Sequence, residues 1–214
     1  MVKDFSDIED NSFYDILVIG AGAAGISLSL ELENSKFKIA LLEAGNLKNN
    51  IQNQKLMKMN TDGPLKHPPL ETVRSRQFGG TTNLWGAGLV KFDKIDFIDR
   101  PKIKVDGWPI NIEKLEHYYQ RAKEYLKIRE AKFSNNSNLN SINKKFFKSE
   151  IVEQKNILRH KSGSNFRKMY LGRFRKSNNI TLYLNSTLSD ISIENQKVKS
   201  IEVSNKNQFK KKIK

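Results

Sequence analysis

Apolar and polar positions fall into blocks along this chain, and several blocks have a clear period. Ile16, Leu17, Val18 and Ile19 form an unbroken apolar run that ends at Gly20, the pattern of a short strand buried on both faces. Leu28, Leu30 and Leu32 carry a helix ended by Asn34 and Ser35, and Phe37 to Leu42 make a second apolar run closed by Glu43. This order predicts a β-α-β unit over 14–45. Farther on, Ile112, Leu115, Tyr119, Ala122 and Leu126 recur at helical spacing behind Asn111, a suitable N-cap, and after the Trp108-Pro109 pair, which keeps the chain extended. Phe166, Met169, Tyr170 and Phe174 predict another amphipathic helix. Three strands follow: ITLYL from Ile180, LSDISIE from Leu188 and KVKSIEV from Lys197, with a tight turn at Asn195-Gln196 between the last two.

Between these blocks the pattern breaks. Residues 1–13 read as a disordered lead, and residues 46–71 as a polar connection broken by Asp62-Gly63-Pro64 and Pro68-Pro69. Residues 132–146 are Asn- and Ser-rich and read as loop, while Ile151, Val152, Ile157 and Leu158 suggest a strand over 150–159. Residues 205–214 read as a frayed basic tail.

Composition narrows the function classes. The chain has 214 residues, 37% of them hydrophobic, enough for one sizeable domain because the apolar residues are clustered. Cys is absent, so there is no disulfide framework, thiolate metal site or Cys nucleophile. No apolar run approaches the ~20 residues of a membrane span, and MVKDFSDIEDNSF is unlike a signal peptide. The expected location is the cytoplasm. The net charge of +15 raises nucleic acid as a partner. Lys is spread widely, however, and the aromatics do not interleave with basic residues as on an RNA-reading sheet, so specific nucleic-acid binding is not expected. His67, His117 and His160 are scattered without ligand spacing, so no metal is expected. No nucleophile elbow or acid–base pair stands out, and no catalytic residue is assigned within the chain.

Gly20, Gly22 and Gly25 fall at G-x-G-x-x-G spacing between the first strand and its helix. Gly20 permits a tight exit from the strand, Gly22 lets a pyrophosphate approach the backbone, and Gly25 lets the helix pack closely. The helix N-terminus suits a diphosphate. Glu43, 23 residues after Gly20, stands where a carboxylate accepts hydrogen bonds from ribose hydroxyls and disfavours a 2′-phosphate. FAD or NAD is favoured over NADP. The plain alternative is a glycine-rich turn that binds nothing; the two strands, the helix and Glu43 weigh against it. A second stretch, RQFGGTTNLWGAG, packs Gly79, Gly80, Thr81, Thr82, Asn83 and Trp85 closely together. Polar groups around glycines beside a flat apolar face suit a heteroaromatic ring, and they equally suit a turn cluster around a core Trp. Tyr118 is read as packing at the edge of its helix stripe.

In this order the motifs resemble those of the glucose–methanol–choline oxidoreductases, and look closest to the bacterial sugar-dehydrogenase-like branch. YDILVIGAGAAG with LLEAG, then RQFGGTTNLWGAG, then DGWPINIEKLEHYYQRAKEYLKI carry the likeness. ITLYLNSTLSDISIENQKVKSIEV is a further, weaker match. The likeness runs from Tyr14 to Val203 and is poorest over 130–165. It implies an α/β fold: a Rossmann-like FAD-binding domain with a parallel sheet and an added β-meander, plus the start of a substrate domain. The implied FAD-binding domain is discontinuous, over 14–94 and 166–204, with a substrate-domain insert over 95–165. Gly20, Gly22, Ala23, Ala24 and Gly25 would hold the pyrophosphate, and Glu43 with Ala44 the ribose. Gly79, Gly80, Thr81, Thr82 and Asn83 would run along the pyrophosphate and isoalloxazine, and the backbone of Leu188 would meet the adenine. Leu84 stands where some members attach the flavin to a histidine, so FAD would be noncovalent. The implied substrate is an alcohol or sugar, with the electron acceptor open. The family's catalytic histidine region is not found in the sequence, and the strand expected soon after Val203 is also not visible. The chain therefore reads as an N-terminal portion, inactive alone. An NAD-dependent Rossmann dehydrogenase and a noncatalytic basic binding remnant are the rival readings.

Overall fold

The structure, a computed structural model, describes residues 1–60, 66–128 and 165–214, together with the backbone of 158–159. The Asp62-Gly63-Pro64 breaker, the 132–146 loop, most of the 150–159 run and His160 lie outside these residues. In chain order the elements are β1 (Val2–Asp4), β2 (Ile16–Ile19), α1 (Ala23–Glu31), β3 (Ile39–Leu42), α2 (Ile51–Lys55), α3 (Leu70–Val73), β4 (Gly88–Leu89), α4 (Leu115–Tyr125), β5 (Leu158–Arg159), α5 (Phe166–Lys176), β6 (Ile180–Leu184), β7 (Thr187–Glu194), β8 (Lys197–Ser204) and β9 (Lys210–Ile213). They divide into a unit of Met1–Trp85 with Asn165–Lys214 and a second unit of Gly86–Ser164.

The first unit is an α/β fold around a four-stranded parallel sheet, ordered β1-β6-β3-β2. Parallel neighbours need a crossover, and α1 supplies it between β2 and β3. Asn34, with φ +67°, turns the chain out of that helix region. The Asn179 side-chain amide then donates to the carbonyls of Leu32 (3.0 Å) and Phe37 (3.1 Å), locking the return loop to the start of β6. β3 and β6 are buried along their whole length, as central parallel strands should be. β2 departs from that expectation: it lies at the sheet edge, and Ile19 is 48% exposed.

The alternation of side chains splits the core into two faces. Phe78 and Phe174, both fully buried, meet edge to face at 5.4 Å in the helical part of the core. On the other face Ala40, Leu42 and Tyr183 cluster with Tyr14, Ile201, Val203 and Ile213. Here an antiparallel sheet, β7-β8-β9, supplies the cover. Asn195 and Gln196 both have positive φ (50° and 61°), the geometry of a two-residue hairpin whose twist matches its strands. The Tyr14 and Tyr183 hydroxyls share a buried 2.7 Å hydrogen bond, and burial pushes the Tyr183 phenol above its ordinary range.

Both ends of the chain correct the sequence reading. The lead is ordered: Val2–Asp4 pairs with β6, and Phe5 and Ile8 are buried in the same cluster as Ile213. The basic tail is strand β9, paired antiparallel to β8, so a strand does follow Val203. Lys211 donates through Nζ to the carbonyls of Ser6 and Ile8, which ties the two ends together. Single apolar anchors in charged surroundings supply the driving force that average polarity hides. The 46–71 connection also contains two short helices, α2 and α3, the first capped by the Asn50 side chain.

In the second unit β4 and β5 pair antiparallel. Asn111 caps the turn that leads into α4 through the Glu113 amide, at 2.7 Å. Lys91 bonds Glu116 at 2.5 Å, which holds that carboxyl below its ordinary value. Tyr118 is exposed.

Candidate nucleotide-binding site

Gly20 leaves β2 with φ +91° while its N–H still reaches the Leu42 carbonyl at 2.8 Å. A Cβ added at Gly20 or Gly22 would meet nothing within 4 Å. Open space therefore lies over this turn, at the N-cap of a nine-residue helix. Gly25 serves packing instead: a Cβ there would stand 2.0 Å from the Gly20 carbonyl oxygen. Ala23 is half-buried and Ala24 exposed in the first turn of α1.

The second glycine stretch closes on the first. The Gly79 N–H donates to the Ala21 carbonyl at 2.8 Å, and a Cβ at Gly80 would lie 2.8 Å from the Gly22 Cα. Both Gly79 (φ +95°) and Gly80 (φ +53°) are left-handed, conformations that glycine adopts without steric cost. Thr82 turns inward: its Oγ1 donates to the Gly79 carbonyl at 2.6 Å and accepts the Phe166 N–H at 3.1 Å, fixing the start of α5. The Asn83 amide nitrogen donates to the Phe78 and Gly80 carbonyls. Its Oδ1 is buried and finds no hydrogen-bond donor among the described residues. Thr81 is exposed, Leu84 is 51% exposed, and Trp85 stands edge-on to Phe166 at 6.2 Å.

Glu43 sits at the end of β3, 6% exposed. Its Oε2 accepts the Ala21 N–H at 2.9 Å and its Oε1 accepts the Gly45 N–H at 2.7 Å. Burial raises this carboxyl above its ordinary value; the Gly45 and Ala21 amides and the Arg76 charge pull the other way. Ala44 is half-buried beside it. Leu188 packs against the tyrosine cluster and pairs with Val203. Arg76 reaches its neighbour Thr187 at 2.9 Å.

The structure thus brings Gly20–Gly25, Glu43 and Gly79–Asn83 together at the end of β2 and β3. Sequence reasoning missed the residues that clamp them. Gln54 accepts the Arg76 N–H and donates to the Glu71 and Arg74 carbonyls. Asn46 bonds Phe78 through its carbonyl, and Arg167 bonds the Leu47 carbonyl. Arg76, three residues before Gly79, carried the one visible signal, a cation beside a glycine turn. His67 is exposed against the Pro68 carbonyl, and His117 lies on α4. Among the described residues no acidic or histidine cluster could hold a metal ion, and no helix is long and apolar enough to cross a membrane. An open 260 Å³ cavity lined by Asp10, Asp190, Glu202 and Lys210–Lys212 lies on the antiparallel sheet and shares no residue with the glycine loops.

No family model matches the chain, and no curated protein does. Solved structures do share its fold. A formate oxidase is 14% identical with a TM-score of 0.50, the match covering 96% of this chain and 44% of the other. A formate oxidase variant from Aspergillus oryzae, studied for its effect on FAD modification, is also 14% identical, with a TM-score of 0.52 and the same coverage. Pyridoxine 4-oxidase from Mesorbium loti is 17% identical with a TM-score of 0.52, over 93% of this chain and 48% of the other. Both enzymes are glucose–methanol–choline oxidoreductases, and the fold described here is that of their N-terminal, FAD-binding portion. The chain spans less than half the length of these proteins.

Proposed function

We propose that this chain is the flavin-binding part of an oxidoreductase that oxidises an alcohol or sugar hydroxyl, with the cytoplasm as its expected setting. The observation that carries the reading is the closure of one glycine loop on another above a helix N-terminus, with a buried carboxylate between them. The residues present fit FAD. Gly20 and Gly22 leave room over the α1 N-terminus for a diphosphate. Glu43 keeps further lone pairs for ribose hydroxyls, since each of its oxygens accepts one backbone N–H. The buried Asn83 Oδ1, with no donor among the described residues, is an acceptor suited to a polar edge of the cofactor. The backbone of Leu188 is assigned to the adenine, and Leu84 offers no atom for covalent attachment, so FAD is held noncovalently.

Bound FAD would supply the hydride acceptor at flavin N5. This chain's own residues bind and orient it. The proton of the substrate hydroxyl needs a base within hydrogen-bond reach. No residue of 1–214 is assigned that role, so the chain alone is expected to turn over no substrate. An NAD-dependent dehydrogenase would leave the second glycine stretch without a task.

The test is titration of the purified chain with FAD and with NAD. FAD should bind with a change in flavin absorbance and NAD should not, and acid precipitation should release all flavin into the supernatant. Anaerobic mixing of the FAD-loaded chain with sugars and alcohols should leave the flavin unbleached. Binding of NAD in place of FAD would overturn the reading, and bleaching would place a base within the chain.

A further inference from the structure

The buried carboxylate between the glycine loops has a cation fixed beside it. The Arg76 N–H donates to the Gln54 Oε1 at 3.1 Å, and Gln54 is itself held by the Glu71 and Arg74 carbonyls. The Arg76 carbonyl packs so closely on the chain after β3 that a Cβ on Gly45 would stand 2.0 Å from its oxygen. Gly45 is the residue whose N–H bonds the Glu43 Oε1. At its far end the Arg76 side chain donates from Nη2 to the Thr187 Oγ1 at 2.9 Å. The residue before Thr187, Ser186, donates its N–H to the Glu43 carbonyl at 2.9 Å. The two anchors of Arg76 therefore flank Glu43, one on the Gly45 side and one at the start of β7.

The two charges do not use each other up. Each Glu43 oxygen accepts a backbone N–H, from Ala21 and Gly45, and the guanidinium bonds a hydroxyl. Arg76 is half-buried, and its Nε is buried with no acceptor among the described residues. A buried donor without an acceptor is costly. The charge of Arg76 also favours the ionised form of Glu43 against its burial. A guanidinium presents a planar fork of N–H groups that matches phosphate oxygens. In dinucleotide sites a carboxylate in the place of Glu43 bonds a free 2′-hydroxyl, whereas a nearby arginine accommodates a 2′-phosphate. This chain carries both groups side by side.

We infer that Glu43 and Arg76 together read the 2′ position of the adenosine ribose: Glu43 keeps a 2′-phosphate out, and Arg76 is a phosphate-binding group masked by that carboxylate. The inference rests on the proposed function for the place of the ribose; the pairing of the two side chains stands on geometry. Selection against a 2′-phosphate is then held by one negative charge. Removing that charge while keeping the side chain's shape turns the site into one that accepts a 2′-phosphorylated nucleotide, with Arg76 as its partner.

The experiment is calorimetric titration of the chain with ADP and with 2′-phospho-ADP, which differ only in that phosphate. The wild-type chain should prefer ADP by about tenfold or more. Glu43→Gln should bring 2′-phospho-ADP to an affinity equal to that of ADP or tighter. Adding Arg76→Met to Glu43→Gln should weaken 2′-phospho-ADP by about tenfold or more and ADP far less. Adding Arg76→Lys instead should keep most of the gain, because the charge remains. Arg76→Met alone should widen the wild-type preference for ADP, a reading that stands even if Glu43→Gln fails to fold. A Glu43→Gln variant that still rejects 2′-phospho-ADP, or a double variant that binds it as tightly as Glu43→Gln, would overturn the inference. Equal binding of the two nucleotides by the wild-type chain, or no binding of ADP, would overturn it too. FAD titration of the same samples separates the two claims. The nucleotide pattern without FAD binding removes the proposed function and leaves the pair standing; FAD binding with an unmoved ratio does the reverse.

Discussion

The two glycine stretches look alike in sequence and do different work. Around Gly20 and Gly22 the backbone borders open space. Around Gly79 and Gly80 it is packed against Gly22, Asn83 and Arg167, and the Thr82 and Asn83 side chains are spent on carbonyls of their own turn. The first loop leaves open space beside its backbone. The second is shaped to hold the first in place. Even within the first loop the roles divide, because Gly25 faces the Gly20 carbonyl rather than space.

The sharpest way to break this comparison is Gly25→Ala. Its methyl group would need the space of the Gly20 carbonyl, 2.0 Å away, so a loss of about 3 kcal/mol or more is expected, at the upper end of overpacking costs. Urea unfolding measures it; a loss under 1 kcal/mol would show the loop to be pliable. Next comes Thr82→Val, which strands the buried Phe166 N–H and the Gly79 carbonyl. That should cost about 1–3 kcal/mol in the same assay. Gly80→Ala combines a left-handed φ with a 2.8 Å contact to Gly22 and should cost about 1–2 kcal/mol.

The smallest effect is a pH slope. Burial raises the Glu43 carboxyl above 4.5, its ordinary value. The folded chain then binds its proton more tightly than the unfolded one. Glu43 contributes stability that is fully present below about pH 4.5 and is lost as pH rises through the raised value. The urea midpoint of the wild-type chain should fall relative to Glu43→Gln across that window; parallel curves would show that burial does not perturb the group.

The β-α-β unit and the hairpin at Asn195-Gln196 were legible because each has a local cause: an apolar run, a glycine spacing, two residues suited to positive φ. The ends were not. Phe5, Ile8 and Ile213 are single apolar residues among charges, and only their meeting across the whole chain makes them a core. The edge position of β2 was hidden for the same reason, since strand order is a property of distant segments. In the site, the glycines and Glu43 announced themselves by spacing, while Gln54, Arg76 and Thr187 act through bonds that join residues 22 to 111 positions apart. Thr82 and Asn83, read as ligand contacts, bond their own turn and α5, and the buried Asn83 Oδ1 has no donor among the described residues.

The most direct measurement of the central claim is FAD affinity and stability together for the wild-type chain, Gly22→Ala and Glu43→Ala. A Cβ at Gly22 meets no protein atom, so stability should change by under about 1 kcal/mol while FAD binding is lost. Glu43→Ala should weaken FAD by about 1.5–3 kcal/mol, as expected for hydrogen bonds to a charged group. Unchanged FAD affinity in both variants would contradict the account, because the space over Gly22 and the carboxylate beside it would then hold no nucleotide.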